Sequence, residues 1–313
     1  MTFRILPAGV MVLLLGYGCS SPPTIAVLTD YGWNDPYVGA LYGTILSINP
    51  AARLTAITHA VPDYDVREAS YLLATVANEF PAGTIFLAVV DPDAGGSRRR
   101  IIIETQDEKY FVGPDNGVFT DVIKTAGLKR AVEISNVLWY RRGVTSTTFE
   151  GRDIFGPAAA HLSKGKKITD AGKQIFDPVQ FDRTPASLTE SGITGEILHR
   201  DHYGNLVTNI QAPMLAKAGW RAGMALECQV KGQVVPATFV ERRGAASRGA
   251  FILILNHQGF LELARTLDSA GDSLNAGAGE VVLVRTAGAG SPATTTTATV
   301  VTPRVSPRAT AAK

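Results

Sequence analysis

Cysteine is nearly absent: 313 residues hold only Cys19 and Cys228, and with Cys19 in the N-terminal segment no disulfide framework can be built. Metal-type spacing is missing as well, since the five histidines form no HxxxH and no Cys/His cluster. His59 and His161 therefore read as core or capping residues. No charge of one sign dominates. The balance of 30 basic against 28 acidic residues, a net charge of +2, gives no electrostatic case for a nucleic-acid partner. The apolar stretch from Ile5 to Leu15 falls short of the roughly 20 residues that a membrane-spanning helix needs. What remains is ordinary globular composition, 45% apolar, in a chain long enough to bury two cores.

The short apolar run still carries information. Arg4, then Ile5 to Leu15, then Gly16-Tyr17-Gly18 is the layout of a signal peptide over residues 1–23, which predicts export. Cys19, followed by Ser20-Ser21-Pro22-Pro23, resembles a bacterial lipoprotein cleavage site, with a lipid anchor on Cys19 and a short tether. Cleavage after Gly18 that leaves a plain thiol is the alternative. The expected location is a membrane-tethered lipoprotein, or else a periplasmic or extracellular protein. Cys228, inside the apolar MALECQV, reads as a small buried residue.

From residue 24 the pattern alternates. TIAVLT (24–29) and TIFLAVV (84–90) are near-continuous apolar runs of strand length, and each is followed by an aspartate, Asp30 and Asp91. Val38, Leu41, Tyr42, Ile45 and Leu46 recur at helical spacing behind Asp35 and Pro36, which suit the N-cap and first helical position. Residues 54–57 read as another strand, and Asp65 with Glu68 as a capping box for a helix with Leu72, Leu73 and Val76 on its face. Further strands are expected at 101–104, 110–112 and 131–134, and a helix at 154–162. The result is an α/β domain over 24–165 with a largely parallel sheet. Ligands of such sheets collect at the carboxyl ends of the strands, where Asp30 and Asp91 lie. Residues 166–190 are polar and aperiodic, a linker. Beyond it ITGEILH, NLVTNI, MALECQV, VVPATFV, FILIL and VVLVR predict a smaller antiparallel all-β domain over 191–286. The Thr/Ala/Pro/Gly-rich tail, 287–313, predicts disorder.

Six strings fall into one pattern: LTDYGWNDPYVGALYG, INPAARLTAITHAVP, FPAGTIFLAVVDPDAGGSRR, VGPDNGVFT, TFEGRDIFGPAAAHL and DHYGNLVTNI. Together they resemble the S-adenosyl-L-methionine (SAM) hydroxide adenosyltransferase family, relatives of the SAM-dependent fluorinase and chlorinase, from about residue 24 to 285. The resemblance implies an α/β domain followed by a β-barrel-like domain, a homotrimer with sites between subunits, and SAM as substrate with no cofactor and no metal. The implied reaction is attack of a nucleophile at the ribose C5′, with L-methionine as leaving group. Water gives adenosine; halide gives a 5′-halo-adenosine.

Residue by residue, the resemblance places Asp30 on the ribose diol, which a carboxylate can accept twice, and Asp35 near the methionine end. Asp201, Tyr203 and Asn205 match a D-x-F/Y-G-N segment used on the amino acid head and the adenosine moiety, and Arg265 matches an arginine near the substrate. Each has a plainer reading: a turn after a strand for Asp30, an N-cap for Asp35, a β-turn for Tyr203 to Asn205, and a solvated edge-strand charge for Arg265. The family's water-activating group is an aspartate, an arginine seven residues on, and a distant histidine. Asp91 and Arg98 keep the first two, with a structural salt bridge continued by solvated Arg99 and Arg100 as the plainer reading. Asp93-Ala94 replace the family's Gly-Val in the loop between them. Glu150 stands where the histidine belongs, with Arg98 and Arg152 as available cations. A carboxylate of ordinary pKa, about 4.3, is a weaker base than histidine. Its charge would also repel a halide nucleophile in a dry pocket. Hydrolysis of SAM by Asp91, Arg98 and Glu150 is the leading expectation. A SAM-dependent halogenase, or a SAM- or nucleoside-binding protein without catalysis, are the alternatives. Arg152 and Asp153 read as a charge pair capping the helix that begins near Ile154.

Overall fold

The computed structural model describes residues 23–143 and 146–288. Cys19, nearly all of the signal segment, and the tail beyond residue 288 lie outside the described residues, so the expectations for them do too. Among the described residues no helix is long and apolar enough to cross a membrane.

The first domain is built on seven strands: β1 (Thr24–Thr29), β2 (Arg53–Thr58), β3 (Ile85–Val89), β4 (Arg100–Thr105), β5 (Tyr110–Pro114), β6 (Leu128–Glu133) and β7 (Gln174–Ile175). They lie in the order β2-β1-β3-β5-β4-β6-β7. The first four run parallel, and β4, β6 and β7 add antiparallel pairings. Strands β1 and β3 are near-continuously apolar, β1 carrying only its two terminal threonines as polar residues, because both of their faces are covered. Ile25 and Val27 point to one layer, where α1 (Tyr37–Ile48) and α4 (Gly156–Ser163) bring Leu41, Ile45 and Ala158 to Ala160. Ala26 and Leu28 point to the other, where α2 (Val66–Ala77) brings Ala69 and Leu73, and α3 (Thr120–Ala126) brings Val122.

Two capping expectations change. Asp65 does cap α2, accepting from the Glu68 backbone N–H at 2.8 Å, but the Glu68 carboxylate does not close the box. It meets His199 Nδ1 of the second domain at 2.5 Å instead. Asp35 is not the N-cap of α1. Pro36 holds that place, with no side-chain cap bond, which leaves the Asp35 carboxylate free to face a cavity. His59 is a satisfied core residue, Nδ1 against Thr29 Oγ1 at 2.7 Å and Nε2 against the Tyr42 hydroxyl at 3.0 Å.

The second domain is a closed barrel of seven strands: β9 (Gly192–Arg200), β10 (Leu206–Gln211), β11 (Ala225–Val230), β12 (Gln233–Phe239), β13 (Phe251–Leu255), β14 (Phe260–Arg265) and β15 (Val281–Thr286). They run β10-β14-β13-β12-β11-β15-β9, and β9 pairs with β10 to close the ring, while β8 (Ser187–Thr189) adds to β9. Closure removes the exposed strand edges. Short helices α5 (Ala212–Lys217) and α6 (Ala270–Leu274) fill connections. Cys228 is buried in the barrel core, where burial pushes its thiol pKa up. Strand β14 is missing from the strand runs expected from sequence, where Arg265 alone was read as an edge-strand charge, because Glu262 and Arg265 break its apolar pattern; Glu262 is nonetheless buried and bonded to Arg243.

The segment between the domains is held down along its length. Asp177 bonds Arg99 at 2.8 Å, Val179 N–H donates to Asp115 at 2.7 Å, and Phe181 N–H donates to Thr120 Oγ1 at 3.2 Å. Arg183 then clasps Asp121 at 2.7 Å.

Candidate active site

Strand β1 runs into Asp30 and β3 into Asp91, and because the strands are parallel both residues emerge at the same edge of the sheet. Strand β4 runs the other way, so its first residue, Arg100, stands opposite Pro114 at the end of β5 and shares that edge. Glu150 arrives there at the head of a π-helical turn, Gly151–Phe155; such wide turns recur at functional sites. Asp30, Asp35, Asp91 and Glu150 line a cavity of about 660 Å³ with Tyr31, Tyr37, Asp63, Tyr64, Phe149 and Gly151.

Arg98 joins Asp91 to Glu150. Its Nε donates to the two Asp91 oxygens at 3.0 and 2.9 Å, and its Nη2 donates to Asp91 Oδ2 and Glu150 Oε2. Glu150 Oε1 is taken by Arg100, from Nε at 2.8 Å and from Nη2. The side chains of Asp91, Arg98 and Glu150 are 5%, 8% and 3% exposed, and that of Arg100 29%. Burial works to lower the Arg98 pKa, yet its bonds to Asp91 and Glu150 prevail and hold it above the ordinary value. The guanidinium also lies 5.4 Å from the Phe155 ring centre. Asp30 is half-buried, and desolvation raises its pKa against the 3.0 Å bond that it accepts from Tyr64 N–H, with Asp63 and Asp91 adding to the rise.

Three expectations are corrected here. Arg152 is no partner of Glu150: it bonds Asp153 at 2.7 and 2.8 Å and covers the Phe149 ring at 4.9 Å. Asp153 does not cap a helix. It is fully buried and accepts from Ser146 N–H at 2.7 Å, which pins the preceding loop; burial acts to raise its pKa, but Arg152 and Ser146 bring it below the usual value. The repulsion argument against halide also loses force, because the Glu150 charge is matched by Arg98 and Arg100, leaving two carboxylates against two guanidiniums. In the Asp93-Ala94 loop, Gly95 has φ +79° and a Cβ there would run into the Thr147 carbonyl, so the loop folds closely onto the segment leading to Glu150.

The second-domain candidates line a different cavity, of about 870 Å³, with Arg243 and Leu267 among its walls. Asp201 organises the β9–β10 turn: Oδ1 accepts from the Tyr203 and Asn205 N–H groups, both at 2.9 Å, and Oδ2 from Asn205 Nδ2 at 2.7 Å. That turn presents Tyr203, 76% exposed, to the cavity. Arg265 sits in β14, with both neighbours of that strand paired to it, and so is not an edge-strand residue. Its guanidinium bonds Gly249 O at 3.0 Å, Ser273 Oγ at 2.7 Å and Asp268 at 2.8 Å. Within one chain the two cavities share no lining residue.

Comparison with known proteins agrees with this two-part layout. Residues 25–172 match the family model of the SAM hydroxide adenosyltransferase N-terminal domain, and residues 195–283 that of its C-terminal domain. The chain belongs to the SAM hydroxide adenosyltransferase family. Its relatives include a (R)-S-adenosyl-L-methionine hydrolase of Salinispora tropica, 34% identical over 82% of this chain and 96% of that one. Another of the same name, from Methanocaldococcus jannaschii, is 31% identical over 80% and 91%. A fluorinase of Nocardia brasiliensis is more distant, 28% identical over 84% and 97%. A crystal structure of an uncharacterized conserved protein from Thermotoga maritima superposes with a TM-score of 0.80 at 33% identity, covering 83% of this chain and all of that one.

Sequence reasoning placed Asp30 and Asp91 at the strand ends, but it read Arg100 as solvated and did not single out Tyr31, which lines the same cavity. Arg100 was readable only as one of three consecutive arginines. Which of them turns inward is set by the register of β4 on β5, and here Arg99 turns instead to Asp115, at 2.6 Å.

Proposed function

We propose that the protein hydrolyses SAM to adenosine and L-methionine. Water attacks ribose C5′ as the C5′–S bond breaks; the sulfur keeps the electron pair, and the spare proton passes to solvent. The neutral thioether leaves without protonation, so no general acid is needed. The observation that carries this reading is the Asp91–Arg98–Glu150 cluster beside Asp30 at the sheet edge, in a chain whose hydrolase relatives are nearer than its fluorinase relatives. Both Glu150 oxygens already accept charge-assisted bonds, and proton abstraction would have to compete with them. Glu150 therefore acts as an orienter of Arg98, not as a general base. Asp30 takes the ribose diol and Asp35 the methionine end. Asp201, Tyr203, Asn205 and Arg265 bind the remainder of SAM from a neighbouring subunit, which is why they line a separate cavity in one chain. A homotrimer supplies that neighbour, and the exported, Cys19-anchored location belongs to the same proposal.

The test is chromatography of products from SAM resolved into its two sulfonium epimers, with and without chloride or fluoride. Adenosine and methionine, formed chiefly from the R epimer that names the relatives, are the expected products. A 5′-halo-adenosine as main product, or binding of SAM without turnover, would refute the reading. Light scattering reads the oligomeric state, and mass spectrometry of the membrane fraction reads Cys19.

A further inference from the structure

Tyr31 follows Asp30 and lines the same cavity, but the family resemblance gives it no role. Its ring is held by two aromatic neighbours, Phe149 edge-on with centres 5.8 Å apart and Tyr37 at 6.0 Å. Its backbone N–H is bonded to Thr29 Oγ1 at 3.2 Å, whereas its hydroxyl has no hydrogen-bond partner among the described residues. That hydroxyl lies directly against Gly151, the residue after Glu150. A Cβ added to Gly151 would overlap the Tyr31 oxygen and come within 3.2 Å of Cζ. A hydroxyl in a cavity wall, fixed in place by its ring and left unpaired, is suited to hold a small polar molecule.

Of the charged groups nearby, Arg98 keeps one donor without a partner among the described residues, its buried Nη1. Asp91 and Glu150 spend their oxygens on Arg98 and Arg100. Tyr31 is kept a neutral phenol: burial pushes its pKa well up, and the carboxylates of Asp30, Asp91 and Glu150 push the same way, with only Arg98 opposing. It can thus donate one hydrogen bond and accept another at any pH near neutral.

We infer that the Tyr31 hydroxyl holds the attacking water, and that residue 151 is glycine so that this hydroxyl has room. The inference rests on the hydrolase reading above and names the group that positions its nucleophile. The water keeps both protons while it is held. As its oxygen bonds to C5′ and the C5′–S pair leaves with methionine, Tyr31 accepts a hydrogen bond from the water, and the surplus proton passes to bulk water. Tyr31 ends the cycle unchanged.

Tyr31→Phe tests this by kcat and KM for SAM, calorimetric binding of S-adenosylhomocysteine, and thermal melting. The hydroxyl has no protein partner to lose, so the melting temperature should hold. We expect kcat to fall about tenfold or more, as for loss of an interaction made to the reacting atoms, with KM and Kd unchanged within about twofold. Gly151→Ala should lower kcat in the wild-type background and cost less in Tyr31→Phe, since the overlap is chiefly with the missing oxygen. A Tyr31→Phe enzyme as fast as wild type overturns the inference and leaves the hydrolase reading standing. So does a raised KM at unchanged kcat, which would make Tyr31 a substrate-binding residue. Wild-type protein that forms no adenosine refutes the hydrolase reading and this inference with it.

Discussion

Arg100→Met isolates the residue that distinguishes this site from a simple Asp–Arg pair. The substitution removes both donors to Glu150 Oε1 and leaves Arg98 on Oε2. Glu150 is 3% exposed and Arg100 29%, so the lost pair is neither a surface bridge of ~0–1 kcal/mol nor a fully buried one of ~3–5 kcal/mol. About 2 kcal/mol of stability should go, a fall of roughly 4–8 °C in Tm by calorimetry. Activity is the sharper test. If Glu150 works by holding Arg98, freeing one of its oxygens lets the cluster relax, and a tenfold fall in kcat corresponds to ~1.4 kcal/mol of transition-state stabilisation. The assay is adenosine release from SAM by wild type, Arg100→Met, Glu150→Gln and the double variant. Because Arg100 reaches the reaction only through Glu150, the double variant should match Glu150→Gln, a coupling of about 1 kcal/mol or more. Independent losses that multiply in the double variant would refute this chain of contacts, as would an Arg100→Met enzyme with wild-type kcat.

Three further outcomes follow from the same contacts. Asp30 has a raised pKa, so the stability it allows is fully present below the unfolded value and is lost as pH rises through the folded one; Asp30→Asn should raise the Tm of the ligand-free protein at pH 7 while sharply weakening SAM binding by calorimetry. His161 is the opposite case, lowered to about 4 by burial and then by Lys166 and Lys164. The unfolded chain takes up its proton first, so stability falls as pH drops from about 6.5 to about 4, and His161→Gln should flatten the Tm profile in that window. Asp201→Ala removes three hydrogen bonds from the β9–β10 turn; a loss of about 1–3 kcal/mol in denaturant titration and a raised KM for SAM are expected.

Much of this was legible because some residues are tied to their position by local rules. The runs TIAVLT and TIFLAVV could only be inner strands of a covered sheet, and a carboxylate at each end had to face the ligand edge. The spacing of Asp91 and Arg98 survived as a bidentate contact for the same reason, both ends belonging to one short loop. Other features depend on long-range register. Arg100 meets Glu150 across 50 positions of sequence, and Glu68 meets His199 across 131; no local period encodes either contact. Helix α3 escaped because its seven residues bury only Thr120 and Val122, too little for a helical period to show. Strand β14 escaped because its buried glutamate is compensated by Arg243 on a distant loop.

The division of the candidate residues between two cavities has a consequence for how such a protein behaves in a cell. A lone chain carries a cavity with the sheet-edge carboxylates and another with the turn tyrosine, and neither contains the other's groups. If the two cavities meet between subunits, as proposed, catalysis is a collective property and specific activity should collapse on dilution. On the proposed exported location, a lone chain still inside the cell would be inert, and the cell's own SAM would be spared until copies accumulate at their destination.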